Sequence, residues 1–412
     1  MNLLFIPKVF PRASVIGGPI LIHHRIKNLS KMGYRITVLA PASSEEDHSD
    51  KSLEPYCEDI ILVDSPKGRT SGEIKKLEDE LKRPSFFLSG DGGYNTHIDE
   101  TFRSIVERYP FDAIIAEYSM MGQYLEGAKE IIPAETMTII SVHECYTQAF
   151  RQRASKGEPI SEKTIEELFE YEFRMYHSVD RVLSLTQEDR QTLINLAPDL
   201  KEKISVVPHG VDTSFYIPDP EKSWDTKNIL YLGNFRHRPN VDAVQNFMNY
   251  CWEKISKEVP DATFYAIGFD PPPELLALRS NRIVVREGGA HSDVRDIYWK
   301  SDIFVAPIEL GGWFRGKILE ALACGLPIVS TRLAAFGIDP VNGEEMFVTD
   351  DYGQFTEHVV RLLKNTALRK TVSANARSLG ERFDHKNAAM RLDEVIQEYH
   401  TKTIREDNEL GS

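Results

Sequence analysis

Three signatures of metal and phosphate sites are missing from this 412-residue sequence. It has no Asp-x-Asp pair, the usual chelate for a metal-bound diphosphate, no GxxxxGK[ST] phosphate loop and no HExxH zinc motif. We therefore expect no metal ion, and we expect side chains and backbone amides to neutralise any phosphate that binds.

Cysteine and long apolar runs are scarce as well. The four cysteines lie far apart and form no CxxC pair, which argues against a structural zinc site and a disulfide framework and agrees with a reducing compartment. No apolar run approaches the ~20 residues of a transmembrane helix. The N-terminal MNLLFIPKVF lacks the basic start and long apolar core of a signal peptide. These features predict a cytoplasmic protein, with contact at the inner face of the membrane as an alternative.

The overall charge is acidic. A formal net charge of −14 argues against a general nucleic-acid binder, although a local basic patch stays open. The hydrophobic share of 41% and the charged share of 27% are globular values, and the length favours two domains over one. These counts leave the oligomeric state open.

Strand and helix patterns alternate along the chain and restart once. A buried strand at Asn2–Ile6 leads through a glycine loop to a helix at Ile20–Met32 and a second strand at Arg35–Ala40. The same alternation begins again at Asn228–Leu232. This pattern predicts an α/β protein with two doubly wound, Rossmann-like domains.

The proline-rich stretch after residue 207 marks the expected domain boundary. We assign the first domain to residues 1–217 and the second to residues 218–385, with a last helix at 386–404 that packs back on the first domain. Residues 51–94 are charged and punctuated by glycine, and we interpret them as a mobile insertion.

Two loops of the first domain are candidate binding elements. Gly17 and Gly18 precede the first helix, where their amides either face a diphosphate or an acceptor or make only a tight turn. His143 follows a predicted strand, so it either meets a sugar hydroxyl or a reacting group, or is a satisfied structural histidine.

Three basic residues follow His143: Arg151, Arg153 and Lys156. They either meet an anionic acceptor or lipid headgroups or form a solvated turn.

The segment GGWFRGKILEALACGLPIVST, residues 311–331, is the main candidate of the second domain. It reads as a glycine loop, a helix at Lys317–Cys324 that stops at Gly325, and a buried strand. Loop amides and Lys317 suit a phosphate at a helix N-terminus, and Glu320 suits ribose hydroxyls. The alternative role of Glu320 is to stabilise the helix dipole, which contributes only ~0.3–1 kcal/mol. That contribution does not explain a glutamate inside an otherwise apolar helix, where a buried carboxylate needs a partner. The combination predicts a sugar-nucleotide site.

A second loop of the same domain, GNFRHRPN, begins at Gly233. Arg236 and Arg238 stand between a predicted strand and a helix, where a guanidinium either pairs with diphosphate oxygens or is solvated. Of the two arginines we favour Arg236 as the phosphate ligand.

These residues resemble the retaining glycosyltransferases of family GT4, which have the two-domain GT-B fold. The resemblance covers nearly the whole chain and rests on the glycine loop at 17–18, His143, VVPHGVD, YLGNFRHRPNVDAV, DIYWKSDIFVAP and KILEALACGLPIVS. It implies a nucleotide-sugar donor bound mainly by the second domain, with Glu320 on the ribose and Arg236 on the phosphates. It also implies that His143 lies near the donor sugar. We assign the catalytic roles to three residues: His143, Arg236 and Lys317.

The chain departs from the family pattern at the first glutamate of its donor-binding pair, which marks a subgroup with a degenerate first glutamate. That glutamate lies eight positions before the second, where this chain has Gly312. Either Glu309 takes its place, or three loop residues contact the sugar instead: Gly312, Trp313 and Phe314. The phosphate-binding lysine of the family falls at 239–240 in this chain, so we expect Lys317 to supply that charge.

The resemblance implies transfer of a sugar, with retained anomeric configuration, from a nucleotide-sugar donor to a hydroxyl of a saccharide, a lipid-linked glycan or a small molecule. We expect no cofactor besides the donor, and the acidic net charge argues against a nucleic-acid partner. Two alternatives stay open: a nucleotide-sugar epimerase or sugar phosphorylase on the same fold, and a catalytically silent donor-binding or partner module, which Gly312 favours.

Overall fold

The computed structural model describes residues 1–13, 17–65, 68–89, 93–288, 293–310 and 316–410, with side chains described up to residue 402. The chain divides into two compact units: unit 1 comprises Met1–Pro208 and Ala388–Ser412, and unit 2 comprises His209–Asn387. The division lies slightly before the expected boundary at 217/218. The boundary lies before Val211 because the Val211 backbone hydrogen-bonds to Phe383 and His385, near the end of unit 2.

Within the described residues, the sheet of unit 1 contains seven strands, β1 (Asn2–Pro7), β2 (Arg35–Ala42), β3 (Asp59–Asp64), β4 (Ala113–Glu117), β5 (Met137–Val142), β6 (Arg181–Ser184) and β7 (Ile204–Val206). Their order is β3-β2-β1-β4-β5-β6-β7, and all pairs are parallel. The order reverses between β1 and β4. In such sheets ligands bind outside the carboxyl ends of the strands at this reversal.

The helices of unit 1 are α1 (Gly18–Lys31), α2 (Glu45–Ser49), α3 (Ser71–Leu81), α4 (Ser85–Leu88), α5 (Thr96–Arg108), α6 (Gly122–Gly127), α7 (Tyr146–Ser155), α8 (Glu162–Ser178) and α9 (Gln187–Leu196). Short 3₁₀ turns lie at Glu54–Tyr56, Ser119–Met121 and Pro198–Lys203.

The prediction of a mobile insertion at 51–94 is wrong for the described part of that stretch. It contains β3, α3 and α4, and Phe87 and Leu88 are fully buried in the core. Sequence analysis did not predict this packing for two reasons. The helix α3 is mostly charged, and a short apolar pair such as Phe87-Leu88 has no helical or strand periodicity.

Apolar clusters cover the two faces of the unit 1 sheet. One contains side chains of α5, α6 and α8. The other joins Leu3 and Phe5 of β1 to Leu392 and Ile396. The latter two lie on the last helix of the chain (His385–Leu410), so the C-terminal helix completes the core of unit 1.

In the described part of unit 2 the sheet contains six strands, β8 (Asn228–Asn234), β9 (Thr263–Phe269), β10 (Ile283–Glu287), β11 (Ile303–Ala306), β12 (Ile328–Ser330) and β13 (Phe347–Val348). Their order is β10-β9-β8-β11-β12-β13, again with parallel pairs. Both units therefore have the doubly wound order of a Rossmann-like sheet.

The helices of unit 2 are α10 (Arg238–Asn246), α11 (Glu253–Glu258), α12 (Pro273–Leu276), α13 (Arg295–Trp299), α14 (Gly316–Ala323), α15 (Tyr352–Lys364), α16 (Thr366–Arg382) and the start of α17 (His385–Leu410). A π-helical segment at Phe247–Trp252 joins α10 to α11. The predicted stop of α14 at Gly325 is confirmed, since its φ of 69° is the left-handed conformation that ends helices.

Candidate functional site

In unit 1, His143 lies directly after β5 and beside the last residue of β4. Its Nε2 is 2.8 Å from Oε2 of Glu117, and the two side chains are 5% and 0% exposed. Because β4 and β5 are neighbours, both residues stand at the carboxyl edge of the sheet. Burial lowers the pKa of His143 below its ordinary value, against the opposing effect of Glu117.

Arg25 of α1 neutralises the charge of Glu117. Its Nη1 lies 2.9 and 3.0 Å from the two carboxylate oxygens and also donates to Ser141 Oγ at 2.7 Å, while Nη2 donates to the Val207 carbonyl at 3.2 Å. Burial alone would raise the pKa of Glu117, but Arg25 and His143 lower it to about 2. Glu117 is therefore a buried anion held by α1, β5 and the end of the sheet.

The glycine loop and His143 come together at the amino end of α1. A methyl group on Gly18 would lie 1.6 Å from Tyr118 Oη and 3.2 Å from His143 Nδ1, so no larger residue fits there without displacing these rings. Tyr118 stacks on His143 with ring centroids 4.0 Å apart, and its φ of 79° is rare for a tyrosine. Gly17, with a φ of 89°, is the N-cap of α1.

The loop after β5 carries a second titratable group, Glu144. Burial and the neighbouring charge of Glu172 raise its pKa to about 7. Of the basic residues that follow, Arg153 pairs with Glu158 at 2.7 Å and Arg151 stacks over Phe169. Both arginines lie on α7 and not on the turn of the solvated alternative, but they have local partners.

In unit 2, Glu320 is the centre of a compact polar group on α14. It is 7% exposed although its helix is otherwise apolar. Lys317 Nζ lies 3.0 and 2.9 Å from its two carboxylate oxygens, and Tyr298 Oη donates to it at 2.8 Å. The buried carboxylate thus has the partners that burial demands, and Lys317 keeps a side chain that is 24% exposed.

Arg236 stands at the carboxyl ends of β8 and β9. Its Nε is 2.8 Å from Asp270 Oδ2, and its guanidinium lies 4.5 Å from the ring centroid of Phe269. With 64% of the side chain exposed, the guanidinium still has donors to offer an anion.

Gly233 at the end of β8 and Asn240 at the start of α10 pack against each other beside the loop that carries Arg236. Asn240 accepts from Tyr231 Oη at 2.7 Å and donates to the Asn234 carbonyl at 2.7 Å. A methyl group on Gly233 would lie 2.9 Å from the Asn240 amide. The position where the family pattern has a lysine therefore holds a residue that locks the β8–α10 loop.

Glu309 is exposed, and its carboxylate accepts a 3.4 Å hydrogen bond from Asn246 of α10. None of its contacts within the described residues is with Lys317 or Glu320. The other candidates for the missing glutamate lie outside the described residues: Gly312, Trp313 and Phe314.

Three residues of the unit 1 cluster were missed by sequence analysis: Arg25, Glu117 and Tyr118. Arg25 reads as a polar residue of an amphipathic helix, and Glu117 as the charged end of a strand. A glutamate directly after the apolar run at 113–116 was the only signal.

Two family models match consecutive parts of the chain. "Glycosyltransferase Family 4" matches residues 17–215, and "Glycosyl transferases group 1" matches residues 226–365. The chain belongs to the GT4-type glycosyltransferases. The two matches account for most of unit 1 and unit 2, and the segments that carried the resemblance in sequence lie within them.

Curated relatives are similar to parts of this glycosyltransferase. A subunit of the human phosphatidylinositol N-acetylglucosaminyltransferase is 27% identical over 175 residues, which are 41% of this chain and 35% of that protein. The chain matches between 34% and 56% of the length of these curated relatives. The activities of those complete proteins are therefore not assigned to this chain.

Solved structures match over nearly the full length and confirm the GT-B fold. Sucrose-phosphate synthase of Thermosynechococcus elongatus is 15% identical with a TM-score of 0.70, over 97% of this chain and 99% of that one. HepE of Anabaena, solved in complex with UDP, is 16% identical with a TM-score of 0.66, over 97% and 100%. The predicted architecture of two Rossmann-like units is therefore correct.

Membrane spans and metal clusters are both absent from the described ranges. No helix there is both long enough and apolar enough to pass through a bilayer. Nor do three His, Cys, Asp or Glu side chains of the described ranges gather into a possible metal-binding group.

Proposed function

We propose that the protein is a retaining glycosyltransferase that moves a sugar from a nucleotide-sugar donor to a hydroxyl acceptor without a metal ion. The observation that carries the proposal is Glu320, a carboxylate buried in an apolar helix one turn from Lys317. A carboxylate and a cation at the start of a helix in a Rossmann-like sheet match the ribose and phosphates of a nucleotide. The UDP bound to the structural neighbour HepE supports the same class of donor.

The donor roles follow from the contacts of unit 2. Glu320 accepts hydrogen bonds from the ribose, and Lys317 and Arg236 offer N–H donors to the diphosphate. Lys317 has three protons and keeps an exposed fraction of 24% beside Glu320, and the Arg236 guanidinium is aimed by Asp270. Cationic donors of this kind stabilise the charge that develops on a departing diphosphate.

In the proposed reaction the bond from the anomeric carbon to the diphosphate breaks as the acceptor oxygen bonds to the same face of that carbon. The acceptor proton passes to an oxygen of the leaving phosphate, so no enzymic nucleophile is needed. Glycosidases instead use a pair of carboxylates that flank the bond. Glu117 is unsuited to that role because Arg25 and His143 occupy its oxygens.

The direct test is a donor screen with product analysis. The protein is incubated with uridine, guanosine, adenosine and thymidine diphosphate sugars, with and without saccharide, lipid-linked and small hydroxyl acceptors, in the presence of EDTA. We expect acceptor-dependent transfer, EDTA insensitivity and an anomeric proton coupling in the product that matches the donor. An epimerised sugar without acceptor indicates an epimerase, transfer to phosphate a phosphorylase, and tight nucleotide binding without turnover a silent module.

Glu320→Gln tests the site itself. Loss of hydrogen bonds to a charged group costs about 1.5–3 kcal/mol, so nucleotide affinity measured by calorimetry should fall about 10- to 150-fold. Glu274→Gln, which changes an exposed glutamate on α12 of the same unit, is the matched control. An affinity of Glu320→Gln equal to that of the control would contradict the proposed ribose contact.

A further inference from the structure

The charge of Glu117 is already balanced without His143. Arg25 places one guanidinium nitrogen 2.9 and 3.0 Å from both carboxylate oxygens, and the pair is almost completely buried, with 1% and 0% of the side chains exposed. An imidazolium is therefore not required for neutrality, and burial lowers the pKa of His143. We conclude that His143 is neutral near pH 7.

The tautomer of His143 follows from the hydrogen bond to Glu117. An ionised carboxylate only accepts hydrogen bonds, so the 2.8 Å contact between Nε2 and Oε2 requires the proton on Nε2. In a neutral imidazole the other nitrogen, Nδ1, is then an acceptor. This assignment comes from the hydrogen-bond network, and it is directly measurable.

Nδ1 faces the amino end of α1, where a methyl group on Gly18 would lie 3.2 Å from it. The groups around the ring are Glu117 of β4, Arg25 of α1, Lys8 after β1 and the stacked Tyr118. Besides burial, Arg25 and Lys8 lower the pKa of His143 and so disfavour an imidazolium. The positive end of the helix disfavours a proton on Nδ1, and the carboxylate favours one on Nε2. These neighbours together favour the neutral ring with its proton on Nε2.

We propose that Glu117 is a positioning residue that fixes His143 as its neutral Nε2–H tautomer, so that Nδ1 accepts a hydrogen bond from a substrate hydroxyl. The proposal rests on the proposed function, since the hydroxyl belongs either to the donor sugar or to the acceptor. Arg25 acts one step further out, because it holds the carboxylate that orients the ring, and Ser141 accepts a hydrogen bond from Arg25. Residues that orient a metal-bound histidine change activity by about 10- to 100-fold when they are replaced, and we expect an effect of similar size for Glu117.

The first experiment is ¹⁵N–¹H correlation NMR of the protein labelled at histidine, with the His143 signals identified by their loss in His143→Gln. The wild-type protein should show a protonated Nε2 and a bare Nδ1, and should stay so as the pH falls below the ordinary histidine value of about 6.5. A proton on Nδ1, or an imidazolium at pH 7, would overturn the proposal. This measurement needs no substrate, so it is independent of whether sugar transfer is found.

The second experiment compares Glu117→Gln with Glu172→Gln. In the first variant the new side-chain amide can donate to Nε2, so the fixed tautomer should be lost. Glu172 is equally buried in unit 1 but accepts from the backbone amides of Tyr146 and Thr147, so its variant should keep the His143 tautomer. An unchanged tautomer in Glu117→Gln overturns the proposal. If that variant does not fold, the wild-type spectrum alone decides.

Kinetics then assign the source of the hydroxyl. In Glu117→Gln, kcat/KM should fall at least about 10-fold relative to Glu172→Gln. A change confined to the donor KM and kcat indicates a hydroxyl of the donor sugar, and a change in the acceptor KM indicates the acceptor. A shifted tautomer with no loss in either parameter would overturn the contact between Nδ1 and substrate.

Discussion

Both units hold a buried glutamate at the carboxyl side of a parallel sheet, but they hold it in different ways. Glu117 of unit 1 is bound by Arg25, which is 92 residues away in sequence, and by His143 on a third element. Glu320 of unit 2 is bound by Lys317, three residues before it on the same helix, and by Tyr298. The first carboxylate is fully enclosed, whereas the second has a partly exposed partner.

This difference indicates that the two carboxylates differ in how easily they can change their hydrogen-bond partners. A carboxylate that is locked by an arginine and a histidine from other elements can orient a neighbour but cannot exchange its own partners cheaply. A carboxylate whose main partner is a partly exposed lysine on its own helix can exchange that partner more easily, as binding of the proposed nucleotide donor requires. Unit 1 thus shows a preorganised site, and unit 2 an adaptable one.

The strongest way to break the comparison is Arg25→Met. Removing one partner of a buried ion pair leaves an uncompensated charge and costs about 3–5 kcal/mol, so the free energy of unfolding should fall by that amount in urea titrations. Arg35→Met, which removes the exposed pair with Glu58, is the control and should have no resolvable effect. A small effect of Arg25→Met would show that Glu117 is neutralised in another way.

Lys317→Met tests the adaptable site and should cost less. Glu320 keeps its hydrogen bond from Tyr298, and Lys317 is partly solvated, so we expect a loss of about 1–2 kcal/mol in the free energy of unfolding. Nucleotide affinity should fall as well, because Lys317 is the proposed phosphate ligand. If Lys317→Met were as destabilising as Arg25→Met, the proposed contrast between the two units would not hold.

Glu144→Gln should have the smallest effect and the opposite sign. The pKa of Glu144 is raised to about 7 in the folded protein, so its contribution to stability is complete below pH ~4.5 and is lost as the pH rises through 7. The glutamine variant should therefore be more stable than the wild type at pH 8, by about 1 kcal/mol for a half-buried group, and equal to it near pH 4. Thermal unfolding across this range, with the exposed Glu170→Gln as control, measures the difference. A variant less stable at pH 8 would indicate a partner for the Glu144 carboxylate.

The alternation of elements was predictable because it depends on local periodicity. Strands such as Asn2–Pro7 and Ile303–Ala306 are continuous apolar runs, and α8 has a regular amphipathic pattern. The stretch at 51–94 was misjudged because Phe87 and Leu88 sit in a short helix whose burial depends on residues far along the chain. Local pattern carries no information on such contacts.

The sequence by itself determined the two Rossmann-like halves, the glycine loop before α1 and the helix that carries Lys317 and Glu320, because each follows from residues within a few positions of one another. Only the tertiary structure decided that Glu117 meets both Arg25 and His143, that Gly18 faces His143 Nδ1, and that Asn240 locks the β8–α10 loop. Glu117 and His143 meet because parallel strand pairing brings residues that are distant in sequence to one edge of a sheet. That pairing sets the geometry of the reactive groups, and no local pattern encodes it.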